Sequence, residues 1–412
     1  MLKNISSIVT PYGNAPRRGE AQGKVALYKG YSISIKGDRI AALIPALDVD
    51  KIKAKRILNC EGCTAIPGLV DAHTHIPFLN MRTNEFYERM NGVSYTEIAR
   101  KGGGIISTVK DVRSASEEQI YEAGKKLLNI LGSHGVTTVE CKTGYGLTRE
   151  DEIKEARVIE RLSKDVDMEV VGTFLGAHAV PVGWDKDRYI DEVIDTMKEI
   201  RKIGIMKFVD IFCDEGAFNA EDLKKVLLAG KANGFIPRAH VNEIASIGGV
   251  EVAVKINCRS VDHVRILSAE EIKTLALSNT TVVVLPMTTF FLNMDDYTPA
   301  RKLIDEGVPV AMASDFNPGS CMLSNPFFAM ALGVIKMRMT PEECLTAYTL
   351  NAAYVLGLHA RIGSIEVGKQ ADILLLRTPT FRNVIPIFDE NTIMGIVKRG
   401  KIKNGNPHSS SG

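Results

Sequence analysis

His73 and His75 stand one residue apart in the run Asp71-Ala72-His73-Thr74-His75. Side chains alternate along an extended chain, so this spacing sends both imidazoles to one side. Two imidazoles held that way can grip one metal ion, and imidazole suits zinc, iron, nickel and copper. A hydrolytic metal site needs three or four protein ligands and an open position for water. A His-x-His pair also fits an ordinary half-buried strand end. The choice turns on whether other ligand types gather around it.

They recur at the ends of short apolar runs. Eight such runs cover residues 66–71, 136–141, 169–175, 208–213, 236–241, 260–263, 280–285 and 308–313. Amphipathic stretches such as 150–163, 189–203 and 220–233 separate most of them. Five of the eight histidines fall at the run ends: His73, His75, His178, His240 and His263. The eighth run leads into Ser314-Asp315-Phe316-Asn317-Pro318-Gly319, and His240-Val241-Asn242-Glu243 closes the fifth. Histidines used only for core packing would not cluster so.

Eight strands alternating with helices over about 300 residues predict an α/β fold, a (β/α)8 barrel with its active site at the C-terminal strand ends. An open doubly wound sheet would carry a glycine-rich phosphate loop after its first strand, and none is present. Both ends of the chain read as β-structure. Residues 1–65 and 365–405 are therefore expected to form one small, discontinuous, β-sandwich-like domain. Residues 66–364 form the barrel and 406–412 a frayed tail.

Composition sets the outer limits. The chain has 412 residues, 45% of them hydrophobic and 24% charged, with a net charge of +2. Nothing there argues for a nucleic-acid or membrane partner, and a small-molecule substrate is expected. No apolar run approaches the ~18 residues of a membrane span. The start, Met1-Leu2-Lys3-Asn4-Ile5, lacks the apolar core of a signal peptide. Seven scattered cysteines predict a reducing compartment and a cytoplasmic location. Cys60-Glu61-Gly62-Cys63 matches Cys-x-x-Cys but has no second pair to complete a metal site.

Longer motifs are more specific. Ser94-Tyr95, Gly102-Gly103-Gly104-Ile105, Thr143-Gly144-Tyr145-Gly146-Leu147, Gly176-Ala177-His178-Ala179, His240-x-x-Glu243 and Asp315-Phe316-Asn317-Pro318-Gly319 accompany the histidines, with a Gly368-Lys369-x-Ala371-Asp372 turn near the end. From residue 68 to about 401 the chain resembles the imidazolonepropionases, within the amidohydrolase superfamily. The resemblance implies one zinc or iron ion per chain, held by His73, His75, His240 and Asp315. It implies hydrolysis of the ring amide of 4-imidazolone-5-propanoate by a metal-activated water, giving N-formimino-glutamate in histidine degradation. It places His263 on the water or developing oxyanion, and Asp315 on the water proton. Glu243 would hold a ring N–H or a second water and serve in general base work. Arg82, with Tyr95 and Tyr145, would clamp the propionate, since a guanidinium fits a carboxylate bidentately. His178 would contact a ring oxygen, and Asn317 and Gly319 would line the ring through an amide and a backbone group. A homodimer is also implied.

Binuclear relatives use a carboxylated lysine after strand four, where this chain has Asp214-Glu215-Gly216. Lys142, after strand two, reads as a structural or solvated lysine. Two departures from the family pattern stand out: Leu79-Asn80-Met81 in place of a Gly-Gly-Ser run, and Asn242 where many members carry Asp. A mononuclear deaminase of the cytosine or guanine type shares the metal pattern but has no need for the carboxylate clamp. A non-catalytic scaffold of the superfamily would have lost ligands, and all are present here.

Overall fold

The computed structural model describes residues 1–93, 97–98 and 101–404. Eight parallel strands form the barrel: Leu69–Asp71, Val136–Lys142, Glu169–Ala177, Met206–Cys213, Ala239–Val241, Ser260–His263, Thr281–Val284 and Val310–Met312. Each pairs with its neighbour in chain order. Every residue of Val136–Lys142 is buried, as expected for a strand covered on both faces. Helices at Arg149–Asp165, Lys186–Ile200 and Ala220–Ala232 follow strands two, three and four and bury one face each. Their starts are capped by Thr148, Asp185 and Asn219, whose side chains accept backbone N–H groups left open at a helix N-terminus.

The seam between strands one and eight closes above the strands themselves. Thr74 and Phe316 form a parallel bridge there. Asp315 N donates to His73 O at 2.9 Å, and His75 N donates to Phe316 O at 3.0 Å. The segments carrying the candidate ligands are thus also the segments that shut the barrel.

Strands from both termini form a second, eight-stranded mixed sheet. Its centre joins Leu2–Thr10, Thr64–Pro67 and Ile373–Leu376. The apolar run at 66–71 reads as one strand in the sequence, yet it serves both sheets. Thr64–Pro67 pairs with Ile373–Leu376, while Leu69–Asp71 pairs with Val136–Lys142. The chain crosses at Gly68, where any Cβ would collide with the side chain of Thr137. At the same N-terminal end of the barrel strands, Glu169 pairs with Arg361 at 2.5 Å and Arg399 at 2.9 Å, tying strand three to the C-terminal segment. Burial alone would push the Glu169 carboxyl up, but the two guanidiniums reverse this and hold it at about 2.

No helix among the described residues is long and apolar enough to cross a membrane. All seven cysteines are free thiols and buried. Cys63 Sγ lies 3.1 Å from Met394 Sδ, inside the terminal sheet's own core.

Candidate metal centre and substrate cavity

His73 and His75 leave strand one, His240 sits in strand five, and Asp315 follows strand eight. Their ligand atoms converge. His73 Nε2 and His240 Nε2 each lie 3.4 Å from His75 Nε2. Asp315 Oδ1 lies 3.2 Å from His75 Nε2 and 3.5 Å from His73 Nε2. Ligands at about 2.0–2.1 Å from one tetrahedral ion would stand about 3.3–3.4 Å apart, so these four separations of 3.2–3.5 Å fit such an ion, and His73, His75 and Asp315 gather as one group. All four residues are buried, and Asp315 Oδ1 has no well-aligned hydrogen bond among the described residues. Thr288 occupies the other oxygen, donating to Asp315 Oδ2 at 2.7 Å, which turns Oδ1 toward the imidazoles. Burial would raise the Asp315 carboxyl, but His75, His263 and Thr288 outweigh it and hold it ionised, below the ordinary carboxylate range.

Burial lowers His73 and His240, the latter to about 4, so both present neutral imidazoles. Their distal nitrogens are held from behind. His73 Nδ1 lies 2.6 Å from Asp262 Oδ2, and His240 Nδ1 lies 3.0 Å from Asp210 Oδ2. Asp262 thereby selects the Nδ1–H tautomer of His73 and leaves its Nε2 toward the cluster, whereas Asp210 approaches His240 Nδ1 closely without an aligned hydrogen bond.

His263 enters a second grouping of ligand atoms, with His73 and His240. Consecutive strand residues normally face opposite ways, yet Asp262 and His263 both reach the cluster. A left-handed backbone at His263, φ +72°, breaks the alternation. Asp315 adopts φ +54° and Asn242 φ +56°, so three strand ends here carry the strain of a non-glycine residue at positive φ. His263 Nδ1 lies 3.7 Å from Glu243 Oε2. Burial pushes the Glu243 carboxyl up, opposed by His263 and reinforced by Asp315. The turn bearing Glu243 is pinned by Asp214, whose carboxylate accepts N–H groups from Glu243, Ile244 and Ala245 at 2.6–2.9 Å. Glu243 and His263 open onto a side cavity with Arg265, Leu285 and Met294.

His178 stacks on His75 with ring centres 5.1 Å apart, and Tyr145 stands 5.4 Å from His178. The Nδ1 of His178 is engaged by Gly144 O at 3.0 Å, which leaves Nε2 for a ligand. Buried Glu155 fixes the Tyr145 loop by accepting from the N–H groups of residues 144, 145 and 146. Arg82 is held by Glu85 at 3.1 Å and Thr108 at 2.7 Å, and its guanidinium lies flat against Gly319. Asn80 donates to Asp111 at 2.9 Å, on the same helix, Ile105–Ser114, that carries Thr108. The Leu79-Asn80-Met81 departure is accommodated there, next to Arg82.

Two expected contacts look different in detail. Asn317 spends its amide inside its own turn, accepting from residues 319, 320 and 321 and donating to Asp315 O. Gly319 O receives Arg89 at 3.0 Å, so Gly319 contributes chiefly its missing side chain. Asn242 donates to Ile266 O and to Glu271, facing away from Glu243. Tyr95 lies outside the described residues.

The amidohydrolase family model matches residues 64–405. An imidazolonepropionase from Alkaliphilus metalliredigens is 40% identical over 98% of this chain and 97% of its own. Another, from Kosmotoga olearia, is 40% identical over 97% of each chain. The chain belongs to the imidazolonepropionase family of amidohydrolases. Solved structures show the same fold at lower identity. An adenosine deaminase from Xanthomonas campestris with bound zinc superposes with a TM-score of 0.73 at 18% identity, over 98% of this chain and 93% of that one. A guanine deaminase from E. coli gives 0.71 at 14%, over 98% and 99%. The imidazolonepropionase family and these deaminases therefore share a barrel.

Sequence reasoning missed the carboxylates behind the imidazoles. Asp262 adjoins His263 in the sequence and was within reach, whereas nothing local marks Asp210.

Proposed function

We propose that this chain hydrolyses the ring amide of 4-imidazolone-5-propanoate to N-formimino-L-glutamate, a step of histidine degradation. The observation that supports the reading is the Arg82 guanidinium packed against Gly319, on the turn that carries Asp315. Asp315 belongs to the metal cluster, and four residues later Gly319 makes room for the Arg82 guanidinium. A substrate held by its carboxylate at Arg82 is thereby registered against the cluster.

His73, His75, His240 and Asp315 would hold one zinc or iron ion, and the bound ion would acidify water and polarise the carbonyl. The remaining steps belong to the protein. Water oxygen adds to the ring carbonyl carbon, the C–N bond breaks, and the leaving nitrogen gains one proton. Asp315, held ionised, accepts the water proton and passes it toward that nitrogen. Glu243, with its raised carboxyl, holds a ring N–H or a second water and shares the proton work. His263 faces the developing oxyanion beside Glu243. Arg82 and Tyr145, together with Tyr95, hold the propionate, and His178 borders the ring. Asn317 and Gly319 shape that border. The free cysteines fit a cytoplasmic enzyme.

The reading is tested by adding freshly made substrate and following both the imidazolone ultraviolet absorbance and free ammonia. Ring opening removes the absorbance and releases no ammonia. Ammonia release from cytosine or guanine, with the imidazolone left intact, would instead establish a deaminase.

A further inference from the structure

Beneath the candidate metal centre the barrel interior holds an ionic layer where branched apolar side chains are the norm. Glu140 and Lys142 of strand two, Asp210 of strand four, Arg238 ahead of strand five and Asp262 of strand six are all fully buried. They form one chain of contacts. Asp262 Oδ2 lies 2.5 Å from Arg238 Nη2, and Arg238 Nη1 lies 2.6 Å from Glu140 Oε1. That same oxygen lies 2.7 Å from Lys142 Nζ, which reaches Asp210 Oδ2 at 3.0 Å. Thr173 donates a third hydrogen bond to Glu140 Oε1. The two ends of this chain are the two carboxylates that back His73 and His240.

Burying five charges is costly, and apolar packing of similar volume often does as well or better for stability alone. A layer that ends on two ligand imidazoles has a different use. We propose that Arg238, Glu140 and Lys142 form a positioning relay that holds the Asp262 and Asp210 carboxylates, and through them the rings of His73 and His240, in place together, with Glu140 as its keystone. Each terminal carboxylate on its own has freedom to rotate. The buried cation beside each removes that freedom, and Glu140 fixes both cations at once. The relay acts on metal affinity from residues that touch neither the ion nor the substrate. It rests on the ligand assignment above and extends it to a residue three contacts behind the ligand imidazoles.

The test compares zinc affinity, by competition with a coloured chelator, and the visible spectrum of the cobalt-substituted protein. Glu140→Gln keeps the volume and removes the charge. Its zinc affinity is expected to fall about 10–100-fold, with an altered cobalt spectrum. Thr173→Val takes one donor from Glu140 without changing its bulk and guards against a Glu140 variant that fails to fold. It is expected to bind zinc at least about threefold more weakly, while Thr173→Ser, which keeps the hydroxyl, restores the parent value. A merely structural layer would lower the melting temperature of the metal-free variants and leave zinc affinity and cobalt spectrum unchanged. That result overturns the relay while leaving the ligand assignment intact. Failure of the parent protein to bind zinc or cobalt overturns both.

Discussion

Replacing His263 by alanine is expected to lower kcat by ~100-fold or more, with metal content unchanged, the usual scale for a lost acid–base or oxyanion group. His263 stands beside the ligand set, with its ring centre 5.3 Å from that of His240 and its Nδ1 3.7 Å from Glu243. Its ligand atom also groups with those of His73 and His240, so the metal measurement separates two roles. Loss of the ion together with activity would make His263 a ligand. Turnover near that of the parent with the ion retained would remove it from the chemistry.

The second large effect concerns the clamp. Arg82→Met is expected to raise KM for the imidazolone about 10–100-fold, since a charge-assisted hydrogen-bonded pair contributes about 1.5–3 kcal/mol. Gly319→Ala should reproduce much of this without touching the arginine, because a methyl at 319 would occupy the space of the guanidinium. The double variant should then be little worse than either single one, as both remove one interaction. A KM within twofold of the parent in both single variants would take Arg82 out of substrate binding.

The barrel was legible because its signal repeats: eight buried runs, each followed by polar residues, have few other solutions. The gathering of the candidate ligands was legible for a related reason. Each ligand lies at or just past the end of a run, and the fold brings such ends together. The split of the 66–71 run at Gly68 was hidden, because a strand that changes sheets keeps the same apolar pattern. The ionic layer was only half hidden. Glu140 and Lys142, and Arg238 and His240, are pairs two residues apart, the period that puts both on one face of a strand. The pairing between these strands depends on three-dimensional register, which no single run contains. The left-handed backbone at His263 and Asp315 was equally opaque, since Asp and His are enriched among non-glycine residues at positive φ yet adopt it in only a small share of cases, and nothing local marks which.

The most direct measurement is a metal titration coupled to turnover. The protein is stripped with a chelator, zinc or ferrous iron is added back in steps, and loss of imidazolone absorbance is followed at each step. Turnover should be absent at the start, rise in proportion to bound metal, and saturate at one ion per chain. Full turnover by protein shown to carry no metal, or saturated metal with no turnover of the imidazolone, would contradict the assignment of this site.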